Sequence, residues 1–378
     1  KTLRAFTYQI LVDCYGEVPY TEALDPSNLS PKYDEGQTVY EGIIAELDEA
    51  LQLAGTSDPV CTNFLFPSAT AGKWIQFANA LKLKLLMRMA DVKDVKAEVA
   101  AIINEDNLPT SNVAYQNCWK NESGQMSPFY AEEFSTAWGS TQTNVAANLA
   151  IIGTMQIMDS EGNIEYQDPR LAAFFEPNED NEYVGGISGT NYPGSTSKLQ
   201  STYWCRPVAS YDMPVYLITV SEIEFFKAEY YARYGSASEA ENHYAAAIEA
   251  SFASAGVAGA DEYIARNPYS SNFKECIGLS KWIALSGVNN FEAWCEMRRL
   301  NYPTFGTLAG SNFYKEGDED SYNVSQYVPG TLYTPIMVFG EVGSNKLLER
   351  YPYAESSSSR NENVPTFPGY TSPVFWGK

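Results

Sequence analysis

The most regular feature of the sequence is a set of segments in which apolar residues recur every three or four positions. Leu3, Phe6, Ile10 and Cys14 form the first of these stripes, and Gly16 follows it. Such spacing places apolar side chains on one face of an α-helix, and a glycine after the last turn is a common helix terminator. The pattern therefore predicts an amphipathic helix that ends near residue 16.

Two more amphipathic helices are predicted in the first third of the chain. One covers residues 39–54 and the other covers residues 73–90. The apolar stripe of the second consists of Trp74, Phe77, Leu81 and Leu85. Each segment has a polar face opposite its apolar stripe, which is typical of helices that pack on a core.

A pair of helices is predicted between residues 221 and 252. Ser221 with Glu224, and Ser238 with Glu241, have the spacing of a capping box, in which a serine side chain closes the first turn of a helix. The inward positions are Ile223, Phe226, Tyr230 and Tyr234, then Tyr244, Ala247, Ile248 and Phe252. The pair has about the size of a tetratricopeptide repeat, roughly 34 residues.

The helical periodicity fades in two long regions that are rich in Gly, Asn, Ser, Thr and Pro. One helix, near residues 145–158, interrupts the first region. We therefore predict a mainly α fold with little β-structure, in a single domain covering residues 1–378. Discontinuous tetratricopeptide-like helix pairs, about 1–104 and 213–301, would pack against a loop-rich, ligand-facing half, about 105–212 and 302–378.

Charge and hydropathy narrow the classes of partner. The formal net charge is −22, and no run of Lys or Arg offsets it, so nucleic acid is not expected as a partner. No apolar stretch approaches the roughly 18 to 20 residues that a membrane helix needs. The helical pattern is already under way at Lys1, and we expect an upstream segment that carries a signal peptide and a lipid-attachment cysteine.

The chemistry-bearing residues do not form a catalytic motif. The six cysteines are widely spaced, which argues against structural zinc and favours buried thiols, with one or two bridges left open for an exported protein. The one histidine, His243, is interpreted as a surface residue of a helix. No cofactor or metal site is predicted, although a loosely held calcium ion is conceivable at residues 318–320 or at Glu179 and Asp180. Because 47 acidic residues bring some carboxylates close together in any fold, a pair of carboxylates is not evidence for glycoside hydrolysis.

Aromatic residues in the loop-rich regions are the best candidates for ligand contact. Those chosen as ligand-binding residues are Trp138, Tyr183, Tyr192, Tyr203, Trp204 and Tyr314. One interpretation is that such residues fill small hydrophobic cores under the loops. The other is that some of them are platforms on which sugar rings stack, each contributing about 1 to 2 kcal/mol by analogy with base stacking.

Seven segments, in order along the chain, resemble the SusD/RagB family and specifically its SusD-like second branch. They are 3–6 with 11–24 (LRAF and LVDCYGEVPYTEAL), 73–84 (KWIQFANALKLK, with Lys84 where Arg is usual), 168–171 (DPRL), 221–229 (SEIEFFKAE), 281–285 (KWIAL), 298–303 (RRLNYP), and 350–353 (RYPY) with Asn363. These motifs pack helices and shape turns. The resemblance therefore transfers no ligand residue to this chain.

The resemblance implies a fold of four discontinuous tetratricopeptide-like helix pairs beside a loop-rich half. It also implies a lipoprotein on the outer face of the outer membrane, working with a SusC-like TonB-dependent transporter. Our hypothesis is non-catalytic binding of a nutrient glycan and its delivery to that transporter. The alternatives are a peptide-binding lid of a RagAB-like transporter, a carbohydrate-active enzyme, and a general protein-interaction scaffold.

Overall fold

The computed structural model describes residues 1–54, 65–66, 71–135, 144–190, 203–314 and 323–377. Helices dominate these ranges, which confirms the predicted mainly α fold. They are α1 Thr2–Tyr15, α2 Gly36–Ala54, α3 Ala71–Arg88, α4 Lys96–Glu105, α5 Pro128–Glu133, α6 Leu149–Met155, α7 Leu171–Phe174, α8 Val220–Tyr234, α9 Ala237–Ala255, α10 Ala260–Arg266, α11 Phe273–Leu285, α12 Asn290–Leu300 and α13 Glu355–Ser358.

The strands in the described ranges are short and form two-stranded sheets. They are β1 Val113–Tyr115, β2 Gln156–Met158, β3 Ile164–Gln167, β4 Phe175–Glu176, β5 Arg206–Pro207, β6 Val215–Ile218, β7 Thr304–Ala309 and β8 Thr331–Thr334. The pairs β1–β6, β2–β3 and β4–β5 are antiparallel, and β7–β8 is parallel. The prediction of little β-structure is confirmed.

The chain forms two compact units. The first contains residues 1–111 and 346–378, and the second contains residues 112–345. The assignment of the whole chain to one domain stays a prediction. Helices α1 to α3 appear where the apolar stripes predicted them, and Phe77, Leu81 and Leu85 on α3 are buried.

A buried carboxylate joins three helices of the first unit. Asp13 on α1 is fully buried, and its Oδ2 lies 2.5 Å from Nη1 of Arg88, at the end of α3. Its Oδ1 accepts hydrogen bonds from the hydroxyl of Tyr40 on α2 and from Nε1 of Trp376. The charge of Asp13 is therefore paired and hydrogen-bonded, the condition under which a buried charge is tolerated.

The C-terminal segment covers the end of α1. Arg350 donates from Nε to the carbonyl of Ser372, and Tyr353 stacks on Tyr15 with ring centroids 6.1 Å apart. Gly16 has φ +84°, and a β-carbon there would lie 2.9 Å from Nη1 of Arg350. Glycine is required at this helix end both for its backbone conformation and for the close approach of the guanidinium.

The second unit contains the helix pair α8–α9, whose predicted inward residues are buried except for the half-buried Tyr234. The predicted caps were wrong by two residues. Thr219 caps α8 by accepting from the amide of Glu222, and Ser236 caps α9 by accepting from the amide of Glu239. Thr219 and Ser236 also stand three residues before a glutamate. The capping-box spacing therefore occurs twice at each helix start, and the sequence alone does not show which copy forms the cap.

A buried ion network links α8, α11 and α12. Arg299 donates two hydrogen bonds to Glu229, at 2.7 and 2.6 Å, and one of 2.6 Å to Oε2 of Glu296. Lys281 lies 2.9 Å from the same Oε2 atom and 3.3 Å from the ring centroid of Phe226. All of these residues except Glu296 belong to the segments that resemble the family, so those segments pack the helices together.

A second buried pair lies where the chain turns into α7. Asp168 and Arg170 are fully buried and make a bidentate pair, with Nε–Oδ1 at 3.0 Å and Nη2–Oδ2 at 2.6 Å. The Arg170 guanidinium also lies 4.4 Å from the ring centroid of Phe252 and 4.5 Å from that of Tyr263. The Asp-Pro-Arg-Leu segment thereby fixes α7 against α9 and α10.

The structure also locates other predicted residues. His243 is half-buried, so it is not a fully surface residue; its Nδ1 lies 2.6 Å from Oε2 of Glu224. No disulfide joins the five cysteines in the described ranges, and Cys61 lies outside them. Among the described helices, none combines the length and apolar character needed to cross a membrane.

Candidate ligand-binding site

A cavity of about 540 Å³ opens in the second unit. It has three walls: α6 with residues 324–329, the loop at residues 182–185 together with Tyr203, and the β2–β3 hairpin. The predicted helix at 145–158 is shorter than expected, because the chain leaves helical geometry at Gln156 and enters β2. This change of structure creates one wall of the cavity.

The first wall is held by contacts between α6 and Tyr327. Asn148 caps α6 by accepting from the amide of Ala150 at 2.8 Å. The Tyr327 hydroxyl lies 2.9 Å from the carbonyl oxygen of Ala150 and 3.0 Å from Oγ1 of Thr154. Burial raises the pKa of Tyr327 to about 12, and its hydroxyl also lies 2.5 Å from the carbonyl oxygen of Thr331.

The second wall is a hydrogen-bonded turn that positions Tyr203 and Glu182. The side-chain oxygen of Asn178 accepts from the amides of Asp180 and Glu182, and its Nδ2 donates to the carbonyl of Tyr203 at 3.1 Å. The Tyr203 hydroxyl donates to Oε2 of Glu182 at 3.1 Å. Burial, and then the neighbouring Glu182 carboxylate, raise the pKa of Tyr203 to about 12.

The third wall is the β2–β3 hairpin, which presents apolar side chains. Met158 and Ile164 face each other across the two strands and are 37% and 54% exposed. Gln156, at the base of β2, is buried and donates from Nε2 to Oε1 of Gln167 at 3.0 Å. The hairpin therefore offers an aliphatic surface at its tip and an amide at its base.

The cavity contains few charged groups. Among the described residues that line it, Glu182 is acidic and none is Lys, Arg or His. Glu182 is exposed, and an ionised carboxylate has acceptor capacity beyond the single bond from Tyr203. The arrangement can stack planar or apolar faces on tyrosine rings and accept hydrogen bonds from a neutral ligand.

The six residues chosen from sequence have three different locations. Tyr183 and Tyr203 line the cavity and are half-buried. Trp204 and Tyr314 are 5% and 7% exposed and belong to the hydrophobic core of the second unit. Trp138 and Tyr192 lie outside the described residues. The assignment of all six as ligand-binding residues stays a prediction.

Trp204 has a packing role, which was one of the two interpretations of the loop aromatics. A β-carbon on Gly186 would lie 2.5 Å from Cε3 of the Trp204 ring, so the indole rests directly on the glycine backbone. Trp204 thus packs against the loop that carries Glu182 and Tyr183. The residue supports the cavity wall from the core side.

Sequence reasoning missed several residues of the cavity. Tyr327 stands among Ser, Gln, Pro and Gly, so the criterion applied to the other loop aromatics could have found it. Met158 and Ile164 gave no comparable signal, because Met158 fell at the end of a predicted helix and isolated aliphatic residues do not indicate a ligand site. Their exposure is visible only in three dimensions.

The described residues contain no cluster of three or more His, Cys, Asp or Glu side chains that could hold a metal ion. Glu179 and Asp180, named as a conceivable calcium site, are exposed residues of the turn at 178–182. The other conceivable site, residues 318–320, lies outside the described ranges.

Comparison with known proteins gives a family and a fold. Residues 1–321 match the SusD-like family model described as starch-binding and associating with the outer membrane. No curated protein matches the sequence.

Solved structures of similar fold include three SusD homologues. One from Bacteroides uniformis is 22% identical, with a TM-score of 0.74 over 100% of this chain and 80% of that chain. A chitin-binding homologue from Flavobacterium johnsoniae is 20% identical, with a TM-score of 0.74 over 99% and 80%. One from Bacteroides thetaiotaomicron is 20% identical, with a TM-score of 0.70 over 100% and 80%. Because the family model covers most of its length, this chain belongs to the SusD-like family.

Proposed function

We propose that this protein binds a nutrient glycan at the cell surface without transforming it and delivers the glycan to a SusC-like TonB-dependent transporter. The observation that carries the proposal is the cavity walled by Tyr183, Tyr203 and Tyr327, with Glu182 at its edge. The family description, starch-binding and associating with the outer membrane, supports both the ligand class and the location.

The tyrosine rings suit sugars because one face of a pyranose ring carries mainly C–H groups. Aromatic platforms contribute about 1 to 3 kcal/mol per stacked base in nucleic-acid complexes, and a sugar ring stacked on tyrosine belongs to the same class of contact. The cavity volume of about 540 Å³ also falls within the usual range of ligand pockets, about 300 to 1,000 Å³.

The polar groups at the cavity suit hydroxyl recognition. Glu182 can accept hydrogen bonds, and Gln156 and Ser325 can both donate and accept them. Two or three stacked rings with a few hydrogen bonds give dissociation constants of roughly micromolar to millimolar. Affinity in that range allows capture followed by release to a transporter.

Direct measurement of saccharide binding tests the proposal. Calorimetry of the protein against a panel of oligosaccharides should find at least one that binds at or below millimolar concentration. Tyr183→Ala and Tyr203→Ala should each weaken that binding by at least about fivefold, since each removes a platform worth about 1 kcal/mol or more. Tyr211→Ala is the matched control, because Tyr211 is an exposed tyrosine of the same unit outside the cavity.

The alternatives give different results in the same experiments. Peptide that co-purifies with the protein and its transporter, with no saccharide bound, would identify a peptide-binding lid. Release of reducing sugar from a bound oligosaccharide would identify an enzyme. Failure of every saccharide to bind at millimolar concentration would end the glycan proposal.

The location and partner need a separate test. The resemblance described above supports a lipid anchor upstream of Lys1 and a TonB-dependent transporter in the outer membrane. Protease treatment of intact cells should cleave the protein, and an affinity tag on it should recover the transporter from solubilised outer membranes. A protein that is protected in intact cells and recovered alone would contradict this part of the proposal.

A further inference from the structure

In the described part of the chain, the cavity walls are mainly aliphatic and aromatic and include one acidic residue, and this composition favours some sugars over others. We infer, resting on the proposed function, that the cavity takes a neutral sugar unit bearing a methyl-containing substituent, such as an acetamido or a 6-deoxy group. Fully hydroxylated and anionic sugar units are then the weaker ligands of the same site. The inference comes from three properties of the cavity wall.

The first property is the exposure of aliphatic side chains at the cavity. Met158 and Ile164 are paired across β2 and β3, both line the cavity, and they are 37% and 54% exposed. These two large apolar side chains stay exposed side by side and form a small hydrophobic patch in the cavity lining. The contact that would cover this patch is with an apolar group of the ligand.

The second property is the aliphatic character of the neighbouring wall. Ile157, Val184 and Val324 are half-buried and line the same space. A sugar hydroxyl placed against these side chains loses its hydrogen bonds to water and gains no protein partner. A methyl group in the same position releases water from two apolar surfaces. The wall therefore discriminates between a hydroxyl and a methyl-bearing substituent.

The third property is the charge at the edge of the cavity. Glu182 is the acidic residue among the described lining residues, and these include no Lys, Arg or His that could neutralise a ligand carboxylate or sulfate. The whole chain carries a formal charge of −22, so the long-range field also opposes an anion. In contrast, the amide N–H of an acetamido group can donate to the Glu182 carboxylate.

Matched saccharides test the inference. Three β-1,4-linked disaccharides of the same stereochemistry, with acetamido, amino or hydroxyl groups at C2, are compared by calorimetry. The panel also compares L-fucose with L-galactose, which differ by the hydroxyl at C6. It further compares neutral oligosaccharides with their uronate counterparts. We expect the tightest ligand to carry an acetamido or 6-deoxy group and to bind at least about tenfold more tightly than its hydroxylated partner, the usual effect of one apolar group in an apolar pocket.

Variants of the hairpin connect that preference to the proposed residues. Ile164→Asn should reduce the preference to about threefold or less, since the change replaces an exposed aliphatic side chain in the wall with a polar one. Val208→Asn is the matched control: Val208 is 42% exposed in the same unit and outside the cavity lining, and the preference should stay intact.

The outcomes separate the two proposals. If glucose-type and acetamido or 6-deoxy ligands bind equally, or if a uronate binds most tightly, the inference about the substituent is overturned while glycan binding stands. If no saccharide binds, both proposals fall. An Ile164→Asn protein that keeps the full preference would also overturn the inference, because the hairpin patch would then not contact the substituent.

Discussion

Gly153 on α6 lies against the ring of Tyr327, so closely that a β-carbon on Gly153 would overlap Cδ1 of that ring. Gly153→Ala should therefore push Tyr327 away from α6 and weaken saccharide binding. Overpacking of this kind usually costs about 1 to 3 kcal/mol of stability, and the melting temperature should fall as well. Calorimetry and thermal unfolding followed by circular dichroism would measure the two effects.

The control for this change is Gly340→Ala. A β-carbon added at Gly340 would have no other atom within 4 Å, and the backbone there is not in the left-handed region. Binding and melting temperature should match those of the parent protein. If Gly153→Ala behaves in the same way as this control, Tyr327 does not depend on its contact with α6.

Acid should destabilise the second unit through Glu229. Burial opposes ionisation of this carboxyl, but the charge and hydrogen bonds of Arg299 outweigh burial and hold the pKa of Glu229 below its ordinary value of 4.5. A carboxyl with a lowered pKa in the folded state stabilises the fold above its unfolded pKa. This contribution decreases as the pH falls through the folded pKa. Urea unfolding between pH 7 and pH 3 should show stability falling below about pH 4.5.

Glu229→Gln tests the assignment to this residue. Glu229→Gln removes the carboxylate that accepts two hydrogen bonds from buried Arg299, while Arg299 keeps its contact with Glu296. Loss of one partner from a buried charge pair costs up to about 3 to 5 kcal/mol, and the pH dependence should flatten. Glu262→Gln is the control, because Glu262 pairs with Arg266 on an exposed face of α10. An unchanged acid profile in Glu229→Gln would show that other carboxyls cause the loss of stability.

The Asp13–Arg88 pair should stabilise the first unit in the way that the Glu229–Arg299 pair stabilises the second. Asp13→Ala removes the buried carboxylate that lies 2.5 Å from the guanidinium of Arg88, and we expect a loss of about 3 to 5 kcal/mol in urea unfolding. The double variant Asp13→Leu/Arg88→Met should recover part of this loss, because it also removes the buried charge with which Asp13 pairs. A double variant less stable than Asp13→Ala would contradict the explanation. Glu49→Gln, at an exposed pair with Lys1, should have no measurable effect.

Trp204→Ala and Tyr203→Ala should differ although the residues are adjacent. Trp204 is buried on Gly186, and its removal should cost about 3 to 5 kcal/mol of stability through the cavity that it leaves. Tyr203 is half-buried at the cavity, and under the proposed function its removal should mainly weaken saccharide binding. The opposite result is that the two variants have equal melting temperatures and lose binding equally. That result would indicate that Trp204 contacts the ligand and does not have the packing role.

The helices were predictable from sequence where their apolar stripes were long. α1 to α3 and the pair α8–α9 follow such stripes, because burial of one face determines where a helix forms. Their first residues were less predictable. Ser221 could have capped α8, but its hydroxyl instead donates to the carbonyl of Ala247 on the neighbouring helix, an interaction between residues far apart in sequence.

The candidate site was predictable only in part, for a related reason. Tyr183 and Tyr203 could be selected because they are aromatic residues in loop-like surroundings. Tyr327 contacts Thr154, 173 residues earlier in the chain, and no local pattern indicates that contact. The same local criterion also selected Trp204 and Tyr314, since the composition around a residue does not reveal whether its ring faces the core or the cavity.

The buried charges and the cavity walls occupy different residues. The networks around Asp13, Arg170 and Arg299 lie in other helices and turns, whereas the cavity is formed by α6, the β2–β3 hairpin and loops. Substitutions in the hairpin or loops can therefore change what is bound while the ion pairs that specify the frame stay intact. Such a division allows one architecture to change its ligand by local mutation while the fold is kept, and the three homologous structures, only about a fifth identical to this chain, share that fold.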